Sequence, residues 1–232
     1  MRPPVVESQW AARIGRARTL AGARPEARAA LAFFAELASF QQSLSHSHDT
    51  AASALTEYLE WLQRNAPPPV AEASLSIEAA ATSWTTLLET YPAAAASDPA
   101  RAFIIEGLLQ VFHASPCSYC SGPPAVSVLR DAAHGSRRAV VCGVCFAESA
   151  APRLGCLNCG ETDVDKLPVF RTEATDPARI DACDSCHGYV KTIDLTRDAL
   201  ACLIADDLAS VSLDLWARDQ GYQRLRPNLL RL

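Results

Sequence analysis

Eight cysteines of this chain fall into four Cys-x-x-Cys pairs, Cys117/Cys120, Cys142/Cys145, Cys156/Cys159 and Cys183/Cys186. A ninth, Cys202, stands alone, and the first 116 residues contain none. A Cys-x-x-Cys turn presents two thiolates from one knuckle, with backbone amides aimed at the sulfurs. Two such knuckles close a tetrahedral site for a soft or borderline cation. In an exported protein, eight cysteines would also serve as a disulfide framework. The run from Met1 to Trp10 has neither an apolar signal core nor a twin-arginine pair. The expected setting is therefore the cytoplasm, where thiols stay reduced, and the expected cofactors are two metal ions, zinc or iron, each held by four cysteines.

The pairs are separated by 21, 10 and 23 residues. Each long gap has room for a short hairpin and the short gap does not. Sequential pairing then gives one site from Cys117, Cys120, Cys142 and Cys145, and a second from Cys156, Cys159, Cys183 and Cys186. A cross-brace, first knuckle with third and second with fourth, is the open alternative. Sequential pairing is favoured because each site closes over a shorter loop. Four thiolates fill a tetrahedral ion and leave no position for water or substrate, so the site is structural, or an electron-transfer centre if iron occupies it. Small ribbons bury little apolar surface, and structural zinc contributes roughly 10–16 kcal/mol of apparent binding to their folding. With eight thiolates present, His113, His134 and His187 are expected to be surface or supporting groups. No Ser/His/Asp or paired-carboxylate motif stands out, so the chain is not expected to be an enzyme.

The elements that must position these knuckles follow from periodicity. Residues 1–114 read as an α-helical domain, with apolar residues at helical spacing: Leu31, Phe34 and Ala38; Leu55, Tyr58 and Leu62; Ile77, Ala81, Trp84, Leu88 and Tyr91; Leu108, Val111 and Phe112. Proline-bearing breaks at 66–69 and 91–99 leave room for up to five helices, with Asp98 capping the last and Pro99 in its first turn. His46 and His48 are placed at a helix end. Residues 115–150 and 151–193 read as two tandem rubredoxin-like or zinc-ribbon modules. Ala125–Leu129 and Ala139–Val141 flank the first hairpin turn; Leu167–Phe170 begins the second hairpin, and Tyr189–Ile193 follows its last knuckle. Residues 194–232 supply a C-terminal helix and tail. Leu200, Ile204, Leu208, Val211 and Leu215 make one stripe, and Gly221 is the expected stop. Asp207 and Asp214 flank that stripe and call for partners such as Arg137, Arg153 or Lys191. Such pairs would fix the helix to the ribbons; the alternative is an acidic edge for a binding partner. Cys202 is read as a small apolar filler. The fold class is α+β.

Composition limits the function. The chain has 232 residues, 49% of them hydrophobic and 20% charged, so it can bury a core. Its net charge is −5. Residues 115–232 carry 13 basic and 15 acidic side chains, which makes nucleic acid an unfavoured partner. No run approaches the ~18–20 apolar residues of a membrane span.

The knuckle sequences Cys-Ser-Tyr-Cys, Cys-Gly-Val-Cys, Cys-Leu-Asn-Cys and Cys-Asp-Ser-Cys, in that order, carry a resemblance. So do Glu148, Arg153-x-x-Cys156, Tyr189-Val-Lys191 and, most specifically, the tail Ala205-Asp-Asp-Leu-Ala-Ser210, Leu213-Asp214 and Gly221-Tyr222. Over about residues 115–230 the chain resembles the formate dehydrogenase accessory proteins, the FdhE family. The resemblance implies a cytoplasmic accessory protein, or chaperone, that acts in maturation of a formate dehydrogenase by contacting its catalytic subunit. It also implies rubredoxin-like modules holding zinc or iron. Asp206, Asp207, Asp214 and Arg153 are the candidate partner-contacting residues. Homodimerisation is left open, and a zinc-ribbon module for nucleic acid or general protein interaction is the alternative.

Overall fold

Hydroxyl, carboxylate and proline residues set the boundaries of the helical half. In the computed structural model, which describes residues 7–112 and 122–228, that half holds six α-helices. They are α1 Glu7–Ala23, α2 Arg28–Ser47, α3 Ala51–Asn65, α4 Pro68–Ala79, α5 Trp84–Ser97 and α6 Pro99–Phe112. The Thr50 hydroxyl accepts a hydrogen bond from Ser53 N at 3.2 Å and starts α3. Asp98 Oδ1 accepts from Arg101 N at 3.0 Å and starts α6, with Pro99 in its first turn, as the sequence predicts.

Two proline expectations change. The 66–69 break is short, because Pro68 itself opens α4. Pro92 lies inside α5, where its missing amide costs one backbone bond without ending the helix. The stretch Ile77–Tyr91 is instead divided at 80–83. Ala81 there has φ +47°, and the Ser83 hydroxyl accepts from Thr86 N at 3.2 Å to cap a new helix. His46 and His48 do lie at the end of α2, and His48 Nε2 sits 2.8 Å from Glu57 Oε2.

Helix α6 is buried along its whole length from Ala102 to Val111; its two buried polar residues are paired, Glu106 Oε1 accepting from Tyr91 OH at 2.6 Å and from Arg226 at 2.9 Å, and Gln110 Oε1 from Gln41 at 3.2 Å. It is the axis of the main core, which gathers residues such as Leu31, Leu37, Tyr58, Leu62 and Leu87 around Ile104 and Leu108.

The second half is one seven-stranded sheet with two helices. Its strands are β1 Val126–Ala132, β2 Gly135–Val141, β3 Glu148–Ala150, β4 Val169–Phe170, β5 Ala178–Ala182, β6 Gly188–Asp194 and β7 Gln223–Arg224. The first hairpin read from the sequence is present, β1 antiparallel to β2 with Val126 opposite Val141; in the second long gap β4 pairs antiparallel with β5, Val169 opposite Asp181, a return strand the sequence did not reveal, and β5 pairs in turn with β6, Arg179 opposite Thr192. Spacing did not reveal that β1 and β6 then pair in parallel, Val128 opposite Ile193. The order is β3-β2-β1-β6-β5-β4, with β7 also on β6, so the two ribbon hairpins share one sheet.

The expected C-terminal helix is two helices, α7 Leu203–Ala209 and α8 Val211–Asp219. The predicted stripe does not survive the break: Leu200 is 83% exposed and Leu215 47% exposed. Ile204 and Leu208 of α7 enter the main core, whereas Leu213 and Ala217 of α8 pack with Ile180, Tyr189 and Ile193 in a smaller core against the sheet. One straight helix could not serve both. Among the described residues no helix is long and apolar enough to cross a membrane.

Candidate metal centre

Three of the four Cys-x-x-Cys turns lie within the described residues, and they share one backbone pattern. The first cysteine's amide donates to the carbonyl five residues on: Cys142 N to Ala147 O at 3.0 Å, Cys156 N to Glu161 O at 2.8 Å and Cys183 N to Gly188 O at 3.0 Å. The residue after the second cysteine is left-handed in each: Phe146 at φ +58°, Gly160 at +77° and His187 at +54°. Amides point at the sulfurs, with Val144 N 3.4 Å from Cys142 Sγ and Asn158 N 3.3 Å from Cys156 Sγ. These turns are specified by a few contiguous residues, which is why the sequence could announce them.

Cys156, Cys159, Cys183 and Cys186 converge, their four Sγ atoms all within 4.8 Å of one another. Cys156 and Cys186 Sγ are 3.6 Å apart, and Cys159 and Cys183 Sγ 3.7 Å apart. These distances are far too long for a disulfide bond of about 2.05 Å. They match the ~3.8 Å edge of a tetrahedron with metal–sulfur bonds of about 2.3 Å. The donor set and its spacing therefore fit one zinc or iron ion, held by third knuckle and fourth together, as sequential pairing requires. Such an ion would supply a structural staple or, as iron, a one-electron centre. Cys142 and Cys145 are buried and form the second-knuckle half of the other expected site. Cys117 and Cys120, with His113, lie outside the described residues.

Neighbours brace the cluster. Gly188 lies so close that a Cβ there would be 2.8 Å from a Leu225 methyl carbon and 3.3 Å from Cys186 Sγ. Glu161 ties the two knuckles: Oε2 accepts from Ser185 Oγ at 2.6 Å, and Oε1 from the amides of Thr162 and Asp163 at 2.9 Å each. The Ser185 hydroxyl, then the Asp163 amide, hold the Glu161 carboxyl down to about 2. No sequence signal had marked Glu161. His134 is exposed. The His187 ring centroid lies 6.0 Å from that of Tyr222.

Behind the sheet the acids of the C-terminal helices are buried and paired within the chain. Lys191 Nζ, fully buried on β6, lies 2.9 Å from Asp207 Oδ1 and 2.6 Å from Asp214 Oδ2. It also donates to Asp207 O at 2.5 Å and Ser210 Oγ at 3.2 Å, at the break between α7 and α8. Arg224 on β7 donates to both Asp207 oxygens, at 2.8 and 2.9 Å, and to Asp214 Oδ1 at 3.0 Å. Tyr189 OH donates to Asp214 Oδ1 at 2.8 Å. Burial alone would raise the Asp207 pKa, but the charges of Arg224 and Lys191 outweigh it and hold it below the usual carboxylate range.

Asp206 pairs instead with Arg16 of α1 at 2.6 Å and accepts from Cys202 N at 2.7 Å. Its burial outweighs Arg16 and pushes its carboxyl up. Cys202 thus caps the start of α7, half-buried, rather than sitting on a helical face. Of the three partners expected for the acids, Lys191 is found; Arg137 and Arg153 are exposed. Arg224 was missed because β7 brings it in from a segment with no local pattern. Of the four candidate partner-contacting residues, Asp206, Asp207 and Asp214 face inward and Arg153 is on the surface, beside a cleft of about 70 Å3 that also involves Cys156 and Leu154.

The fold and the thiolate cluster define an α+β protein in which a helical layer carries zinc-ribbon-like knuckles on a mixed sheet. Residues 154–231 match the family model described as "FdhE, C-terminal domain". A "Protein FdhE homolog" of Aquifex aeolicus is 37% identical over 115 residues, 49% of this chain and 41% of that protein. A homologue so named in Stutzerimonas stutzeri is 35% identical over 116 residues, 49% of this chain and 37% of that protein. The chain thus aligns with well under half the length of these curated relatives. The crystal structure of the FdhE protein from Pseudomonas aeruginosa matches with a TM-score of 0.73 and 23% identity, over 95% of this chain and 94% of that one, which shows a shared fold.

Proposed function

We propose that this chain is a non-enzymatic accessory protein for maturation of a formate dehydrogenase, binding the enzyme's catalytic subunit in the cytoplasm. The observation that carries the reading is the four-thiolate cluster within the stretch that matches the FdhE C-terminal domain. Four sulfurs around one ion leave no open coordination position, so the centre shapes a surface rather than turning over a substrate. Cys117, Cys120, Cys142 and Cys145 hold the second ion in this reading. The contact surface lies beside the Cys156–Cys186 cluster. Arg153 is exposed there, with Leu154 63%, Val164 59% and Val169 50% exposed nearby along the chain. Asp206, Asp207 and Asp214 act from inside, by holding that surface to the helical layer.

The test is affinity capture of the tagged chain from anaerobically grown cells, with mass spectrometry of the partners and a metal count. The wild type is expected to retain a formate dehydrogenase catalytic subunit and two metal ions. The Cys183→Ser/Cys186→Ser variant is expected to lose one ion and the subunit. Arg153→Glu/Leu154→Asp, which leaves every thiolate in place, is expected to weaken capture about tenfold while keeping both ions. Undiminished capture by both variants, or no such subunit on the wild type, overturns the proposal. Visible absorption that bleaches on reduction identifies iron; a colourless protein with a full zinc complement identifies a staple.

A further inference from the structure

A cavity of about 580 Å3 lies between α1, the second knuckle and the loop leading into α7. That volume is typical of a small-molecule site. Its wall is mostly apolar, with Phe146, Leu195 and Leu203 among its residues, and Ala12 and Leu200 stand exposed at its edge. Four charged or amide side chains interrupt it, Arg13, Gln110, Arg130 and Glu148. The Arg13 guanidinium carbon lies 4.8 Å from the Trp10 ring centroid and 4.6 Å from that of Phe146, so it is gripped between two aromatic rings. The left-handed backbone of Phe146, at φ +58°, is what brings that second ring into place.

Arg13 makes no ion pair and no hydrogen bond among the described residues; the titratable group beside it is the Cys202 thiol, whose pKa burial pushes up so that it stays protonated and uncharged. The other ionic side chains on the wall, Arg130 and Glu148, are joined to each other, with Arg130 Nε 3.1 Å from Glu148 Oε2. Gln110, also on the wall, has its Oε1 taken by Gln41 Nε2 at 3.2 Å and its own Nε2 buried without an acceptor. A largely desolvated guanidinium without an anion is costly, and its natural complement is a planar, two-oxygen acceptor. The apolar wall around it sets the rest of the ligand.

We infer that this cavity binds a carboxylate carried on an apolar body, with Arg13 pairing the carboxylate and Phe146 and Leu203 contacting the body. Two sources share that chemistry: a free apolar acid, and an acidic side chain flanked by apolar residues in a peptide. The inference does not depend on the identity of any client protein, because its test uses small probes.

The experiment is calorimetric titration of the full metal-loaded chain with three probes. They are 4-phenylbutyrate, its uncharged amide, and the capped peptide acetyl-Leu-Asp-Leu-amide. The acid or the peptide is expected to bind, with 4-phenylbutyramide at least about tenfold weaker than the acid, as the loss of a charge-assisted pair demands. Tighter binding of the acid names the free-acid source, and tighter binding of the peptide names the side-chain source. Arg13→Met keeps the aliphatic packing and is expected to weaken binding about tenfold or more; Arg13→Lys is expected to restore part of it. Ala12→Phe, on the exposed edge, narrows the cavity without touching Arg13 and is expected to block binding in a chain whose thermal unfolding is unchanged. Equal binding of acid and amide, undiminished binding by a folded Arg13→Met chain, or no binding of acid or peptide up to about 10 mM overturns the inference.

Discussion

Cys142 and Cys145 sit in the helical core, whereas in the cluster at the turn between β5 and β6 Cys159 is exposed, Cys156 and Cys186 are half-buried and Cys183 alone is buried. The backbone turn is the same in both places. Around Cys142 and Cys145, Val144 is fully buried and Phe146 packs on the core, so apolar contacts hold the turn from outside. The Cys156–Cys186 cluster has instead the Glu161 latch, the close approach of Gly188 and its own sulfurs. One local motif thus serves two physical regimes: one knuckle is clamped by the core, and the other pair depends on what its thiolates bind.

The largest effect that can break this comparison is removal of thiolates from the Cys156–Cys186 cluster, which fits a metal ion. Structural zinc carries roughly 10–16 kcal/mol of apparent binding, far more than any neighbouring contact. In the Cys183→Ser/Cys186→Ser variant, hydrogen exchange is expected to lose protection between residues 156 and 187 while α2, α3 and α6 keep theirs. Simultaneous loss of protection in the helices would show that the two regimes are one.

A smaller effect sharpens the role of the buried charges that join sheet to helices. Lys191→Met leaves Arg224 as the one cation facing both Asp207 and Asp214 among the described residues and is expected to cost about 3–5 kcal/mol in denaturant unfolding. Adding Asp207→Asn and Asp214→Asn, which removes the uncompensated charge, is expected to recover part of that loss. A change under about 1 kcal/mol for Lys191→Met would mean that the network orders the α7–α8 break without stabilising it.

The mildest effect is on pH. The folded Asp207 carboxyl titrates below its unfolded value, because Arg224 and Lys191 outweigh its burial. The folded state therefore binds fewer protons than the unfolded one in that window. The stability it contributes is fully present above the unfolded carboxylate pKa of about 3.9 and is lost as pH falls through the lower folded value. Acid unfolding followed by circular dichroism is expected to begin only below about pH 4, and at higher pH in Lys191→Met. An unchanged acid midpoint in that variant would remove Asp207 as the controlling group.

What could be read beforehand follows the range of each interaction. The thiolate set, the first hairpin and the Asp98 cap were legible because each is decided by neighbours within a few residues. The C-terminal helix was misread as one stripe because periodicity could not show that two cores share it. Its acids were legible as groups in need of partners, yet one of the two cations that satisfy Asp207 and Asp214 was not, since Arg224 arrives on a two-residue strand.

By itself, then, the amino-acid sequence determined the four-cysteine donor set, the turns that present it and the helical character of the first half, because short-range sterics and hydrogen bonds decide them. The tertiary structure alone decided the parallel joint between β1 and β6, the inward pairing of Asp206, Asp207 and Asp214, and the seating of one knuckle in the helical core. Those depend on contacts such as Arg16 with Asp206, 190 residues apart. At that separation burial and charge select partners in space, and no local pattern in the chain records the choice.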